Sequence, residues 1–424
     1  MAVFVTLYLY YISVSDRLAI KFHHQIRSNL FSGELDMSNN QFASAVVRSL
    51  DWRLPIEDSC KKLGEQLPGG IDLLTVFVSP HFQSELEEIV EKLTADLAPV
   101  HTLGSTGESI VADAIEVEGE PAISIWGASL PKTQVDSMRL TFERTPDGGT
   151  FIGWPESLAG EWSDDAVMLL VGEPFSFPAD GLLSRLDEDR PGLPVIGGMA
   201  SGFHTPDENR IVVGSEVYNN GAAVVVLQGG IKTHSVVSQG CRPIGQRYVI
   251  TGVEQNMILG LGGKPALDVL KQLYEELPNH EQAAMQNGFH IGQVVSEYQD
   301  EYEMGDFLIR NVIGVEPDQK AVVVADFLRV GQTVQFHIRD HESASLELNQ
   351  LVSQLENSGS AALLFTCNGR GTRLFDVASH DAGVLREHLG QIPVAGFFAQ
   401  GELGPVGGKN FLHGFTASII VFES

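Results

Sequence analysis

AALLFTCNGRG, running from Ala361 to Gly371, is an apolar strand that stops at a polar, glycine-rich turn. It is followed by a predicted helix over Asp381–Leu389, by PVAGFFAQGE ending at Glu402, and by the strand FTASIIVF from Phe415. Two earlier stretches have the same order. The first runs from DLLTVFVS at Asp72 through a helix over Ser84–Leu97 and PVHTLGSTGE to Glu108, then to ISIWGASL from Ile123. The second runs from AVMLLVGE at Ala166 through a helix over Ala179–Asp189 and PVIGGMASG to Gly202, then to AAVVVLQG from Ala222. Strands alternating with helices predict an α/β chain (α+β in its mixture of strand directions), built of recurring β-α-β-β units as mixed sheets covered by helices. The glycines mark where backbone approaches backbone or ligand closely.

The intervening sequence supplies further elements and a division. The chain divides near residues 250–257, and after that point a helix is expected over Pro265–Glu276, with strands from Phe307, Ala321 and Thr333, and a helix over Ser343–Leu355 leads into the third stretch. Turns are expected at Thr145–Gly149 and Asn219–Gly221. With 424 residues and no proline-rich linker, the chain reads as two interlocked domains, residues 45–252 and 253–424. Residues 1–36 read as an atypical apolar extension whose run is broken by Asp16 and Arg17, and translation is expected to begin at Met37. The segment after Met37, MSNNQFASAVVRSLDW, reads as a helix.

Charge and cysteine usage exclude several function classes. With 55 acidic against 27 basic residues, the formal charge of −28 opposes nucleic acid and anionic membrane surfaces. The three cysteines, Cys60, Cys241 and Cys367, form no C-x-x-C pair, and the thirteen histidines show no HExxH spacing. No disulfide framework, metal or other cofactor is expected, and the location expected is the cytoplasm. LGLGGKPAL at Leu259–Leu267 lacks the order of a phosphate loop, since Pro265 stands where a hydroxyl would hold magnesium.

In α/β units ligands sit at the carboxyl ends of strands, so the polar residues there are the candidates. They are Cys367, Asn368, Arg370, Glu402 and His413 in the third stretch, with Ser105, Thr106, Glu108 and Arg242 in the first half. Among the arginines in these segments (Arg242, Arg310, Arg339, Arg370, Arg373), any that is free of salt bridges suits a small anion, and Asp340 is the neighbour expected to occupy Arg339. The plain reading of the glycine turns is tight packing, with the polar residues capping helices. A sharper alternative makes Cys367 an acyl-transfer nucleophile with His413, Glu402 and the Gly369 or Gly371 N–H groups.

The strings LLFTCNGRGTRLF (Leu363–Phe375), IPVAGFFAQGELGPVGGKNFLHGFTAS (Ile392–Ser418), FLIRNVIGVEP (Phe307–Pro317), GQTVQFHIRD (Gly331–Asp340), GSTGE (Gly104–Glu108), PAISIWGASLP (Pro121–Pro131), QGCRPIG (Gln239–Gly245) and LGGKPALDVL (Leu261–Leu270) resemble the FIST family. The resemblance runs from about Ala45 to the C-terminus. It implies an N-terminal and a C-terminal FIST domain forming a small-ligand sensory module, with an amino acid or similar anionic or zwitterionic metabolite as ligand. No catalytic residues come with it, so an enzyme stands second and a ligand-free interaction scaffold third. No kinase, cyclase, methyl-accepting or F-box segment accompanies the strings, so a separate signalling protein is the expected partner.

Overall fold

The computed structural model describes residues 39–424 other than 147, 287, 299–301, 303, 304 and 357. The expectations for residues 1–36 and for the start at Met37 lie outside them. The fold is α/β, with four sheets and seven α-helices among the described residues. No helix among those residues is long and apolar enough to cross a membrane.

Three of the sheets share one plan. In the third, Ala361–Cys367 leads through the helix His380–Leu389 to the parallel strand Val394–Ala399. Ala417–Phe422 and then Thr233–Ser238 continue that sheet antiparallel on the other side. The first sheet places Leu73–Val78, the helix Leu86–Leu97, His101–Thr106, Ile123–Ser129 and Gln41–Val47 in the same relation. The second does so with Val167–Gly172, the helix Ala179–Asp189, Val195–Met199, Ala222–Gln228 and Gln134–Thr145.

Each sheet is completed by a hairpin from a different segment. The first segment's hairpin, Ser109–Ala112 with Ile115–Glu118, pairs with Val394–Ala399 of the third. The second's, Ile211–Val213 with Glu216–Tyr218, pairs with His101–Thr106 of the first. The third's, Glu402–Val406 with Lys409–His413, pairs with Val195–Met199 of the second. The exchange is cyclic, and each hairpin covers what would otherwise be an exposed strand edge.

Packing explains the common glycines. The fourth residue of each opening strand faces one, as Val76 with Gly104, Leu170 with Gly197 and Leu364 with Gly396. A Cβ on these glycines would stand 2.2, 1.8 and 1.8 Å from the facing carbonyl oxygen, so any side chain would push the parallel strands apart. The inner faces of the three sheets meet in one core that includes Phe77, Trp126, Leu169, Val171, Ile196, Phe365 and Phe397. Phe77 and Phe365 pack edge to face with centroids 6.1 Å apart. The outer faces are covered by the helices in three separate clusters.

The fourth sheet is an antiparallel barrel inserted in the third segment. Its strands follow the order Cys241–Glu254, Thr333–Arg339, Phe289–Val294, Phe307–Glu316, Ala321–Val324 and Met257–Leu261, and the last returns to the first. The two long strands make closure possible: Cys241–Glu254 and Phe307–Glu316 each pair with one neighbour over their first half and another over their second. The helix Ala266–Glu276 supplies Leu267, Leu270 and Leu273 to the barrel core. The chain enters at Cys241 and leaves at Arg339, which are paired neighbours, so a two-strand neck joins barrel to body.

One expected element is corrected. From residue 39 to 52 the segment is not helical: Gln41–Val47 is an edge strand paired residue for residue with Ile123–Ser129, and the helix begins only at Arg53. Phe42, Val46 and Val47 favour a pleated surface, and the ladder satisfies their backbone groups. The helix expected over Ser343–Leu355 starts at His341 because Asp340 caps it, accepting from the Ser343 amide at 2.7 Å.

Candidate functional site at the end of the third sheet

Arg370 turns back under its own strand, its amide donating to the Cys367 carbonyl at 2.9 Å. The guanidinium is wholly buried and grips Asp381 side-on, Nε to Oδ2 at 2.7 Å and Nη2 to Oδ1 at 2.8 Å. Asp381 also accepts from Thr366 Oγ1 at 2.6 Å and lies 2.9 Å from His380 Nδ1. Burial alone would raise the Asp381 carboxyl, but Arg370 and these hydrogen bonds outweigh it and hold it well below the usual range. Burial and the Asp381 charge push nearby Glu116 up to about 8. Arg370 Nη1 is buried without a partner. The geometry makes Arg370 the centre of a core ion pair rather than the edge of an open pocket.

Cys367 and Glu402 form the second group. Burial pushes Glu402 up to about 8, although its Oε2 accepts from the Thr416 amide at 3.0 Å and the Cys367 thiol hydrogen-bonds the carboxyl, and its Oε1 is buried without a close partner. Sheet register shows how unusual this is. Glu402 faces Gly198 on its host strand, and the matching hairpin positions, opposite Ser105 and Phe397, hold Ile211 and Ile110. Both isoleucines are fully buried in the central core. Burial and the Glu402 carboxyl push the Cys367 thiol up to about 12.

This arrangement does not make Cys367 a thiolate nucleophile. His413 lies directly across the hairpin from Glu402, but its Nε2 donates to the Gly404 carbonyl at 3.0 Å. Burial lowers His413 to about 4 and its Nδ1 is unpartnered. The Gly369 amide points at Cys367 Sγ, 3.4 Å away, so it is not aimed at a substrate oxyanion.

Arg339 and Phe415 complete the site, and neither was among the nine residues picked out from the sequence. Arg339 Nε and Nη2 are buried without partners, and its guanidinium lies 4.2 Å from the centre of the Phe415 ring. Asp340 does not occupy it. Successive strand residues point to opposite faces, and Asp340 instead caps its helix and accepts from Arg242 at 3.2 Å. That alternation was the available signal in the sequence. Beside them, burial and the Arg339 charge lower His290 to about 3, and its Nδ1 lies 3.0 Å from Asn311 Oδ1.

A cleft of about 1010 Å³ is lined by the barrel with Arg310, Asp326 and Arg329, by the third hairpin from Lys409 to His413 with Gly414, and by Asp180, Asp187 and Glu188 of the helix Ala179–Asp189. Arg310 bridges Asp326 at 2.7 Å and the Leu412 carbonyl at 2.9 Å.

The first-half candidates divide. Glu108 reaches the site by pairing with Arg373, which also donates to the Asn368 carbonyl at 2.7 Å. Ser105 is buried in its sheet with an unpartnered hydroxyl, and Thr106 accepts from the Arg210 amide at 3.1 Å. Arg242 is occupied by Glu281 at 2.8 Å and by Asp340. The three glycine turns meet one another: the Ser201 amide bonds the Thr106 carbonyl and the Gln400 amide bonds the Met199 carbonyl. Among the described residues no group of three histidine, cysteine or carboxylate side chains could hold a metal.

Residues 72–264 match the FIST N domain and residues 266–405 the FIST C domain. An uncharacterised protein of Mycobacterium tuberculosis, Rv0628c, is 37% identical over 382 residues, covering 89% of this chain and 98% of its own length. An uncharacterised protein of Mycobacterium bovis, Mb0898c, is 36% identical over 382 residues, covering 89% and 97%.

Proposed function

Because the chain belongs to the FIST family, whose domains are associated with sensory signal transduction, we propose that it is a cytoplasmic sensor of a small anionic or zwitterionic metabolite such as an amino acid. The ligand enters the cleft between barrel and third hairpin and is held by Asn368, Glu402, His413 and Arg339 around Cys367. One observation carries this reading. Asn368 Oδ1, Glu402 Oε1, His413 Nδ1 and Arg339 Nε and Nη2 are all buried without partners. An unmet buried polar group costs roughly 1–3 kcal/mol, and a ligand with both donors and acceptors relieves several at once.

The two-strand neck beside the site supports a route for the signal. A ligand that prefers one seating of the barrel shifts the population toward it, and a separate signalling protein reads the result. Acyl transfer by Cys367 is disfavoured by a thiol pushed up to about 12.

Thermal-shift screening of the full chain against amino acids, carboxylates and nucleotides tests the proposal. At least one amino acid or carboxylate is expected to raise the Tm, and Glu402→Gln to diminish the rise. A folded protein whose Tm responds to none of them would remove the sensor reading.

A further inference from the structure

We propose that Arg339 is the carboxylate-recognising residue of this protein and that Phe415 is the door that closes over it; this rests on the ligand-binding reading above. Nε and Nη2 form one edge of a guanidinium and match the two oxygens of a carboxylate. The protein itself shows the fit: Arg370 uses this same edge to hold Asp381 at 2.7 and 2.8 Å. In Arg339 the edge is empty, and both nitrogens are shielded from water.

Nothing around Arg339 replaces the missing anion. Its strand neighbour Asp340 is drawn to Arg242 and to the Ser343 amide. On the adjoining barrel strands stand Cys241, a thiol raised to about 11 by burial even though it hydrogen-bonds Arg339, and His290, lowered to about 3 by burial and by Arg339. From the body, Glu402 is raised to about 8 by burial, Glu347 is raised by burial and turned to Ser238 and the Gly240 amide, and Arg370 adds a second cation. A single unbalanced guanidinium edge among buried carboxyls suits one negative charge, so a carboxylate fits better than a phosphate dianion.

Phe415 covers this edge and adjoins the cleft in the chain. Gly414, its neighbour in the chain, lines the cleft, while the Phe415 ring covers Arg339 and leans on Gly369, where a Cβ would stand 2.4 Å from the ring. Phe415 has φ of 64°, a left-handed conformation that a bulky residue rarely holds. Sheet register places Pro121 and Asn220 at the matching positions before Ala122 and Gly221, and neither has a positive φ. Phe415 is 37% exposed, which leaves solvent on its outer side for the ring to move into.

Phenylglyoxal labelling of the full-length protein, read residue by residue by mass spectrometry, tests both parts. Arg339 is expected to label about tenfold faster in Phe415→Ala than in the native chain. Phe415→Asn, which tolerates the left-handed backbone, guards against a folding defect in the alanine variant. Sodium acetate is expected to slow labelling of Arg339 more than sodium chloride, acetamide or inorganic phosphate. An unchanged rate in both Phe415 variants overturns the door, and protection by acetamide or phosphate equal to that by acetate overturns the carboxylate. For any metabolite found by thermal shift, Arg339→Lys should bind about tenfold more weakly. Undiminished binding would reject the subsite and leave the sensor standing, whereas a screen without any binder rejects the sensor and leaves the acetate result to decide the subsite.

Discussion

Glu402 occupies a position that the sheet plan otherwise gives to isoleucine, and its burial sets a pH dependence. Its folded value is about 8 against an ordinary 4.5. Below 4.5 both folded and unfolded chains keep the proton. Between 4.5 and 8 only the folded chain does, so the stability present at low pH is lost as pH rises through that window. Glu116 acts in the same direction. Asp381, held low by Arg370, acts oppositely, and its contribution is lost as pH falls below the usual carboxylate range. Urea unfolding at pH 5, 6.5 and 8 should show a decline of a few kcal/mol in the native protein, flattened in Glu402→Gln. An equal decline in the variant would contradict this assignment. Iodoacetamide should label Cys367 slowly at neutral pH, since burial and Glu402 oppose its thiolate. The polarity of these positions was legible in the sequence, because Cys367, Asn368, Glu402 and His413 lie at strand ends. Which of them keeps an unpaired atom depends on contacts between segments, as does the ion pair of Arg370 with Asp381 on the next helix.

At the scale of elements, the turn Cys367–Arg370 and the helix His380–Leu389 are locked by one ion pair. Arg370→Met leaves Asp381 buried without its cation and should cost roughly 3–5 kcal/mol, measured by urea unfolding. Adding Asp381→Leu should recover most of the loss, and no recovery would show that the pair is not a unit. Helical spacing made Ala179–Asp189 and the helix after Ser379 legible before the structure. The strand Gln41–Val47 was not, because its alanines and valines suit either a helix face or a sheet edge and only the partner Ile123–Ser129 decides. The hairpin destinations were likewise hidden, since a hairpin's sequence does not say whose sheet it completes.

For the whole molecule, the exchanged hairpins predict that neither half folds alone. A chain of residues 266–424 retains Val394–Ala399 but lacks its partner Ser109–Ala112, and it retains Glu402–Val406 but lacks Val195–Met199. It should show no cooperative melting by circular dichroism until the complementary half is supplied. A sharp transition in the isolated piece would contradict the role assigned to the exchange. The same cyclic pairing also governs how the protein is made. Ile110, near the start of the chain, finds its ladder partner only when Phe397 emerges. At roughly 5–20 residues per second the ribosome needs about 15 to 60 seconds to cover that interval. Throughout it the first hairpin waits with a bare edge, the kind of surface that pairs with other chains while it stays uncovered.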